Sequence, residues 1–186
     1  MTNSTQMDPG TPNLQNTIGY PVSSLKFWMM GIFTGGIYLL YWSYKNFRAL
    51  QVPSDSKVAA VIWCIFLPLS FFSMMQGLET KASENNYPIR THKWALAWIY
   101  FLLVTAAKFL DRMSDRVTDE TLALLGFGAL GCQLLSLFIL SIFQRKMLVL
   151  NRELRPQAQI ASRFTIWDII LMIVCVAVFI ALVIFG

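Results

Sequence analysis

Chemistry needs side chains that can hold a metal, move a proton or attack a bond, and few positions of this chain offer them. The densest set is Asp111, Asp115 and Asp119, spaced i, i+4, i+8 and interleaved with Arg112 and Arg116. On a helix these carboxylates would share one face and could hold a divalent cation through oxygen ligands. The interleaved arginines argue instead for a solvated, self-neutralising turn, with Asp119 near the start of the following helix. Cys64, Cys132 and Cys175 lie far apart, each inside an apolar stretch, and no CxxC pair exists. They read as small core residues rather than metal or redox ligands. His92, the one histidine, follows Arg90 and Thr91 and precedes Lys93 in a basic loop. No segment assembles three or four ligands, so a zinc-type site is disfavoured and no cofactor is expected.

Polar groups within apolar segments are the other place to look, because they are costly in lipid and mark transport paths or proton relays. Gln133 is the strongly polar residue deepest in such a segment, flanked by Gly128, Gly131, Cys132 and Ser136. An interhelical hydrogen bond is its expected role, with substrate contact the alternative. Lys108 sits near a segment end, from where it can snorkel to the interface. Asp168 closes Thr165-Ile166-Trp167-Asp168, which fits the capping box that opens a helix. No relay of carboxylates is present, and no catalytic residue is assigned.

The elements that must position these groups are five apolar stretches, roughly 27–44, 58–75, 94–110, 122–143 and 166–185. Each is long enough, at about 1.5 Å rise per residue, to match a hydrocarbon core of roughly 30 Å. The chain is 56% hydrophobic and 13% charged, with a mean hydropathy of +0.55. The fold class expected is all-α, a polytopic integral membrane protein. Loops are short, so residues 20–186 read as one transmembrane domain without a separate soluble one. Residues 1–19 contain no Lys or Arg and few bulky apolar side chains. They read as a disordered polar tail, and not as a signal peptide.

Fifteen Lys and Arg bear on orientation. Five full crossings with the N-terminus outside leave more cations outside than inside, against the positive-inside rule. Letting 58–75 enter from the cytoplasm and return puts eleven inside and four (Lys26, Lys108, Arg112, Arg116) outside. Pro68, near the middle of that stretch, removes a backbone donor and permits a break. Four spans plus this re-entrant segment is the preferred topology, and five spans with the N-terminus inside is the alternative. Tyr20-Pro21 through Phe27 resembles Tyr87-Pro88 through Trp94, which would favour a full crossing if it is a true repeat.

The first stretch carries the strongest local pattern, Thr34, Gly36, Tyr38, Tyr41-Trp42, and Tyr44-Lys45-Asn46. This T-x-G-x-Y-x-x-Y-W-x-Y-K-N run resembles the first-helix motif of a bacterial family of small, uncharacterised membrane proteins, a domain of unknown function. Gln144-Arg145-Lys146, Leu150-Asn151 and Ser162 to Asp168 are similar to its proteobacterial members. The resemblance covers about a third of the chain. It implies a multi-pass protein of the inner membrane and brings no activity. Without the family, Gly31 and Gly35 form a GxxxG notch for close helix approach. Tyr38, Tyr41 and Trp42 form one aromatic face, either an interfacial belt or the floor of a polar pocket.

Arg145, Lys146, Arg152 and Arg155 surround Met147, Leu148, Leu150 and Leu154. They read as a helical extension along the headgroups, apolar side down, attracting anionic lipid. The same cations would anchor topology. A pI near 9.3 follows from this membrane bias, and no nucleic-acid partner is implied. Membrane lipids are the expected partners, with a membrane-protein partner or a second copy of the chain as further options. The leading functional expectation is a non-enzymatic accessory, scaffold or lipid-interacting membrane subunit. A small transporter or channel is second, and a membrane enzyme acting on lipid third.

Overall fold

The computed structural model describes residues 17–52, 56–87, 89, 92–114, 119–157 and 160–185. Among them are seven helices: α1 (Ser24–Phe33), α2 (Ile37–Leu50), α3 (Lys57–Ile65), α4 (Leu67–Glu84), α5 (Lys93–Ser114), α6 (Asp119–Leu154) and α7 (Ile166–Phe185). The described residues form no strand; Val22 and Ala161 make an isolated bridge. The all-α expectation holds. Two helices, α5 and the 34 residues of α6 from Thr121, are long and apolar enough to cross a membrane. That is fewer than the four or five spans read from the sequence.

The first stretch, 27–44, is not the single span that its apolarity suggests. Thr34, Gly35 and Gly36 interrupt it, with φ of 56° at Gly35 and 91° at Gly36. L-residues with a Cβ rarely adopt these left-handed angles, so the glycines let the chain reverse. Thr34 latches the turn. Its hydroxyl donates to the Met30 carbonyl at 2.6 Å and accepts from the Tyr38 amide at 3.0 Å. A continuous helix would hold Phe27 and Trp42 about 22 Å apart along its axis. Their ring centroids are 5.1 Å apart. The stretch is therefore a hairpin whose two ends lie at the same level. Gly35 is exposed, and a Cβ there would meet nothing within 4 Å. It is a turn residue, not half of a packing notch. Gly31 alone makes the close approach, since its Cβ would lie 2.8 Å from Leu137 Cδ1 of α6.

The second stretch breaks at Phe66, with Pro68 in the first turn of α4, where its missing amide leaves no orphan. The Ser70 hydroxyl spans the break by donating to the Trp63 carbonyl at 2.7 Å. Cys64, near the end of α3, sits beside Ser43 of α2. Phe71, early in α4, packs with Phe143, which in turn packs on Trp42. Gly77, two turns later, lies against Leu50 and Val52. So α3 climbs alongside α2 and α4 returns. Residues 58–75 therefore fold back as a hairpin, as 27–44 do.

Both hairpins point the same way. At their open end, which we call the basal end, lie the start of α1, the end of α2, the start of α3 and the end of α4. The start of α5 joins them through Phe72 stacked on Trp94 and Lys93 bonded to Glu79. The end of α6 and the start of α7 lie there too, bonded to the segment before α1 and to Lys26. The core is Phe27, Trp42, Phe47, Phe71, Met74, Leu140, Phe143 and Met147, each without measurable exposure. The first four turns of α6, most of α5 and most of α7 stand outside it. In its most apolar window α5 is only 11% buried, and α6 17%.

Candidate functional site

Before α1 the chain runs extended, and its backbone amides need partners wherever water is excluded. Residues 17–19 do not behave as part of a disordered tail: Ile18 and Gly19 are buried, and residues 1–16 lie outside the described set. Three side-chain amides from two helices supply the partners. Asn151 of α6 accepts from the Ile18 amide at 2.9 Å and donates to the Ile18 carbonyl at 2.7 Å. Asn46 of α2 accepts from the Tyr20 amide at 3.0 Å while donating to the Trp42 carbonyl at 2.9 Å. Gln144 donates to the Val22 carbonyl and accepts from the Trp42 indole at 2.9 Å. The segment before α7 completes the clamp, the Ala161 amide donating to the Pro21 carbonyl at 3.0 Å. All three side-chain amides are engaged. Such a network rigidifies a core rather than serving a ligand.

One charge is buried beside it. Lys26 is 3% exposed; its ammonium pairs with Asp168 and donates to the Arg163 carbonyl at 2.9 Å. Asp168 also caps α7, accepting from the Thr165 amide at 2.8 Å while its own amide donates to the Thr165 hydroxyl. The capping box read from the sequence is present, and the ion pair ties α7 to α1. Sequence reasoning misses the pair, because 142 residues separate its partners. Tyr20 stands close by, and burial first, then Tyr41, pushes its hydroxyl well above the ordinary range. It stays neutral.

The expected aromatic face divides. Trp42 and Tyr38 are buried, whereas Tyr41 is exposed at 44% and packs edge-on to Tyr20. The Tyr38 hydroxyl is buried without a partner among the described residues. Tyr38, Tyr41 and Trp42 line neither the crevice between α1 and α6 nor the two grooves beside Gln51. Gln133 faces outward rather than into the bundle. Its expected interhelical bond is not formed with any described residue. Asp115 lies outside the described residues, as does the side chain of Asp119. Among the described residues no three His, Cys, Asp or Glu side chains converge on a metal position.

The basic segment is placed differently from its expected headgroup-lying pose. It simply ends α6, and Met147, Leu148 and Leu150 pack into the core instead of facing lipid. Arg145, Arg152 and Arg155 are exposed and Lys146 partly so. Arg155 borders a groove of about 430 Å³ with Arg48, Lys81, Glu84, Gln51 and Asn85. Three cations there look like an anion site. Yet the groove lies where α2, α4 and α6 end, and each C-terminus contributes about half a negative charge. Lys81 is also paired with Glu84 at 3.1 Å. Little positive excess remains.

The fold and these residues define an all-α protein with two helices fit to cross a membrane, a tightly paired basal core and cations crowded at one end. Beyond that class the comparisons add nothing: no family model, curated protein or solved structure matches the chain.

Proposed function

We propose that this chain is a multi-pass protein of the bacterial inner membrane, acting as a non-enzymatic accessory, scaffold or lipid-interacting subunit. One observation carries the reading. With both hairpins doubled back, eleven described cations (Lys26, Lys45, Arg48, Lys57, Lys81, Lys93, Arg145, Lys146, Arg152, Arg155 and Arg163) cluster towards the basal end. Lys108 and Arg112 lie towards the other. That bias supports a reading with the basal end in the cytoplasm. In this reading there are three crossings, α5, α6 and the 20-residue α7, apolar beyond Asp168, with two re-entrant hairpins on the cytoplasmic side. The assignment to a bacterial inner membrane rests on the motif resemblance alone.

A lipid-facing role is supported by the exposed surface of the crossings, where Trp98, Leu102, Phe109, Leu124, Phe127 and Leu130 all point outward. Apolar side chains in such numbers need lipid or a partner against them. A transporter would need a polar path through the bundle, and Gln133 faces away from it.

Single cysteines in a background lacking Cys64, Cys132 and Cys175 test the topology. Ser114→Cys should label from the periplasm; Ser24→Cys, Ser83→Cys and Gln157→Cys should be protected. Periplasmic labelling of Ser24→Cys would mean that the first stretch crosses. The functional part is tested by anionic lipid retained in mild detergent. Replacing Arg152 and Arg155 with Gln should lower it, with a difference that shrinks in high salt as each cation's attraction of about 1 kcal/mol is screened.

A further inference from the structure

Helices α1 and α6 run antiparallel, with Gly31 against Leu137 and the segment before α1 against Gln144. Between them opens a crevice of about 130 Å³, bordered by Ser24 and Trp28 on α1 and by Phe138, Ser141, Ile142 and Arg145 on α6. We propose that this crevice holds one anionic phospholipid, its headgroup phosphate on Arg145 and the start of an acyl chain along Trp28, Ile142 and Phe138.

Three observations carry the assignment, which rests on the membrane reading above. The first is the direction of the polarity. Residue numbers rise along α1 and fall along α6 as both leave the basal end. Both walls therefore change together, from Ser24 and Arg145 at the base to Trp28 and Phe138 one to two turns higher. A phospholipid entering the cytoplasmic leaflet presents the same order, charge at the interface and hydrocarbon inward.

The second is the state of Arg145. It is exposed and forms no ion pair or hydrogen bond with any described residue, unlike Lys26, Lys81 and Lys93. An unpaired guanidinium presents a planar fork that matches a phosphate. The third is the floor. Gln144 lines the crevice and is fixed from behind by the Trp42 indole and the Val22 carbonyl. The base of the site is thus preorganised, which lowers the entropy lost on binding. The volume suits a phosphodiester, and exposed Phe138 leaves the acyl chain continuous with the bilayer.

The test is native mass spectrometry on protein extracted into mild detergent from bilayers of phosphatidylglycerol and phosphatidylcholine in equal parts. One phosphatidylglycerol per chain should survive extraction. Arg145→Gln should reduce its retention about tenfold, the loss of one charge-assisted bond. Ser141→Leu, which fills the crevice while keeping the charge, should reduce it as much. Thermal unfolding of Arg145→Gln, an exposed position, should stay unchanged and so report an intact fold. Full retention in both variants would overturn the site. Equal retention of phosphatidylcholine would overturn the charge recognition, and displacement by inorganic phosphate would make it a phosphate site rather than a lipid one. The Arg152 and Arg155 double variant should keep this lipid while losing loosely held anionic lipid. If that variant loses nothing while Arg145→Gln loses the bound lipid, the basic collar fails and the crevice stands.

Discussion

The basal half and the three long helices are built from similar residues and packed in opposite ways. In the basal half Phe143 packs against both Trp42 and Phe71, all three without exposure, and the buried amides of Asn46, Gln144 and Asn151 are all partnered. In the upper half Phe127 and Leu124 are each 73% exposed, and Phe179 on α7 is 67% exposed. Hydrophobicity alone does not distinguish the two regions. The basal half closes on itself because its hairpins bring short helices back on one another. The upper half consists of uninterrupted helices that meet few neighbours. Its apolar surface must be matched by something outside the chain.

The sharpest way to break this contrast is to remove one buried anchor. Trp42→Ala deletes the ring that meets Phe27, Phe143 and Gln144, and should cost about 3–5 kcal/mol of stability in detergent unfolding. Lys26→Met keeps the bulk but leaves Asp168 without its buried counter-charge and the Arg163 carbonyl without the ammonium donor. A loss of about 3 kcal/mol is expected, at the lower end for a broken buried pair because Asp168 retains 14% side-chain exposure. Equal stability of Lys26→Met and wild type would show that the pair is as solvated as a surface one.

Glycine substitutions separate packing from backbone strain. Gly31→Leu drives a side chain into Leu137, and should cost about 1–3 kcal/mol. Gly35→Ala meets no neighbour and costs only the left-handed φ of 56°, about 1 kcal/mol. If the order of these two losses reversed, the close approach would lie at Gly35 after all. The smallest effect belongs to the upper half. Phe127→Leu on the outward face should change stability in a bilayer by less than about 0.5 kcal/mol, as surface substitutions do. A larger loss would reveal a partner helix on that face and turn the comparison from lipid to assembly.

Much of the fold is legible where local signals suffice. Uniform apolarity over the stretches near α5, α6 and α7 needs only length and composition, and all three are unbroken helices. The capping box at Thr165 to Asp168 needs only neighbouring residues. Pro68 marks a break because a missing amide is a local fact, although the helix ends two residues earlier, at Phe66. Gly35 carries the same kind of signal, yet its spacing from Gly31 suggests a notch where the chain makes a turn. Glycine serves both purposes, and spacing does not say which.

The candidate site is legible as a set of cations and illegible as a shape. Arg145 and Arg155 look equivalent in the sequence, both basic and both beside an apolar run. Only the packing of α1 on α6 sets Arg145, unpaired among the described residues, beside a crevice, while Arg155 meets a groove compensated by helix ends and Glu84.

Sequence by itself determined that this chain is helical and too apolar for water alone, because those properties are sums over neighbouring residues. Where the chain turns back, which cation is buried and which amides hold the segment before α1 were decided by tertiary structure. These depend on contacts such as Lys26 to Asp168 and Ile18 to Asn151, between residues 142 and 133 positions apart. No local pattern encodes such a pair. A lysine in the first turn of a helix reads as an interfacial anchor until a carboxylate from the far end of the chain is folded against it.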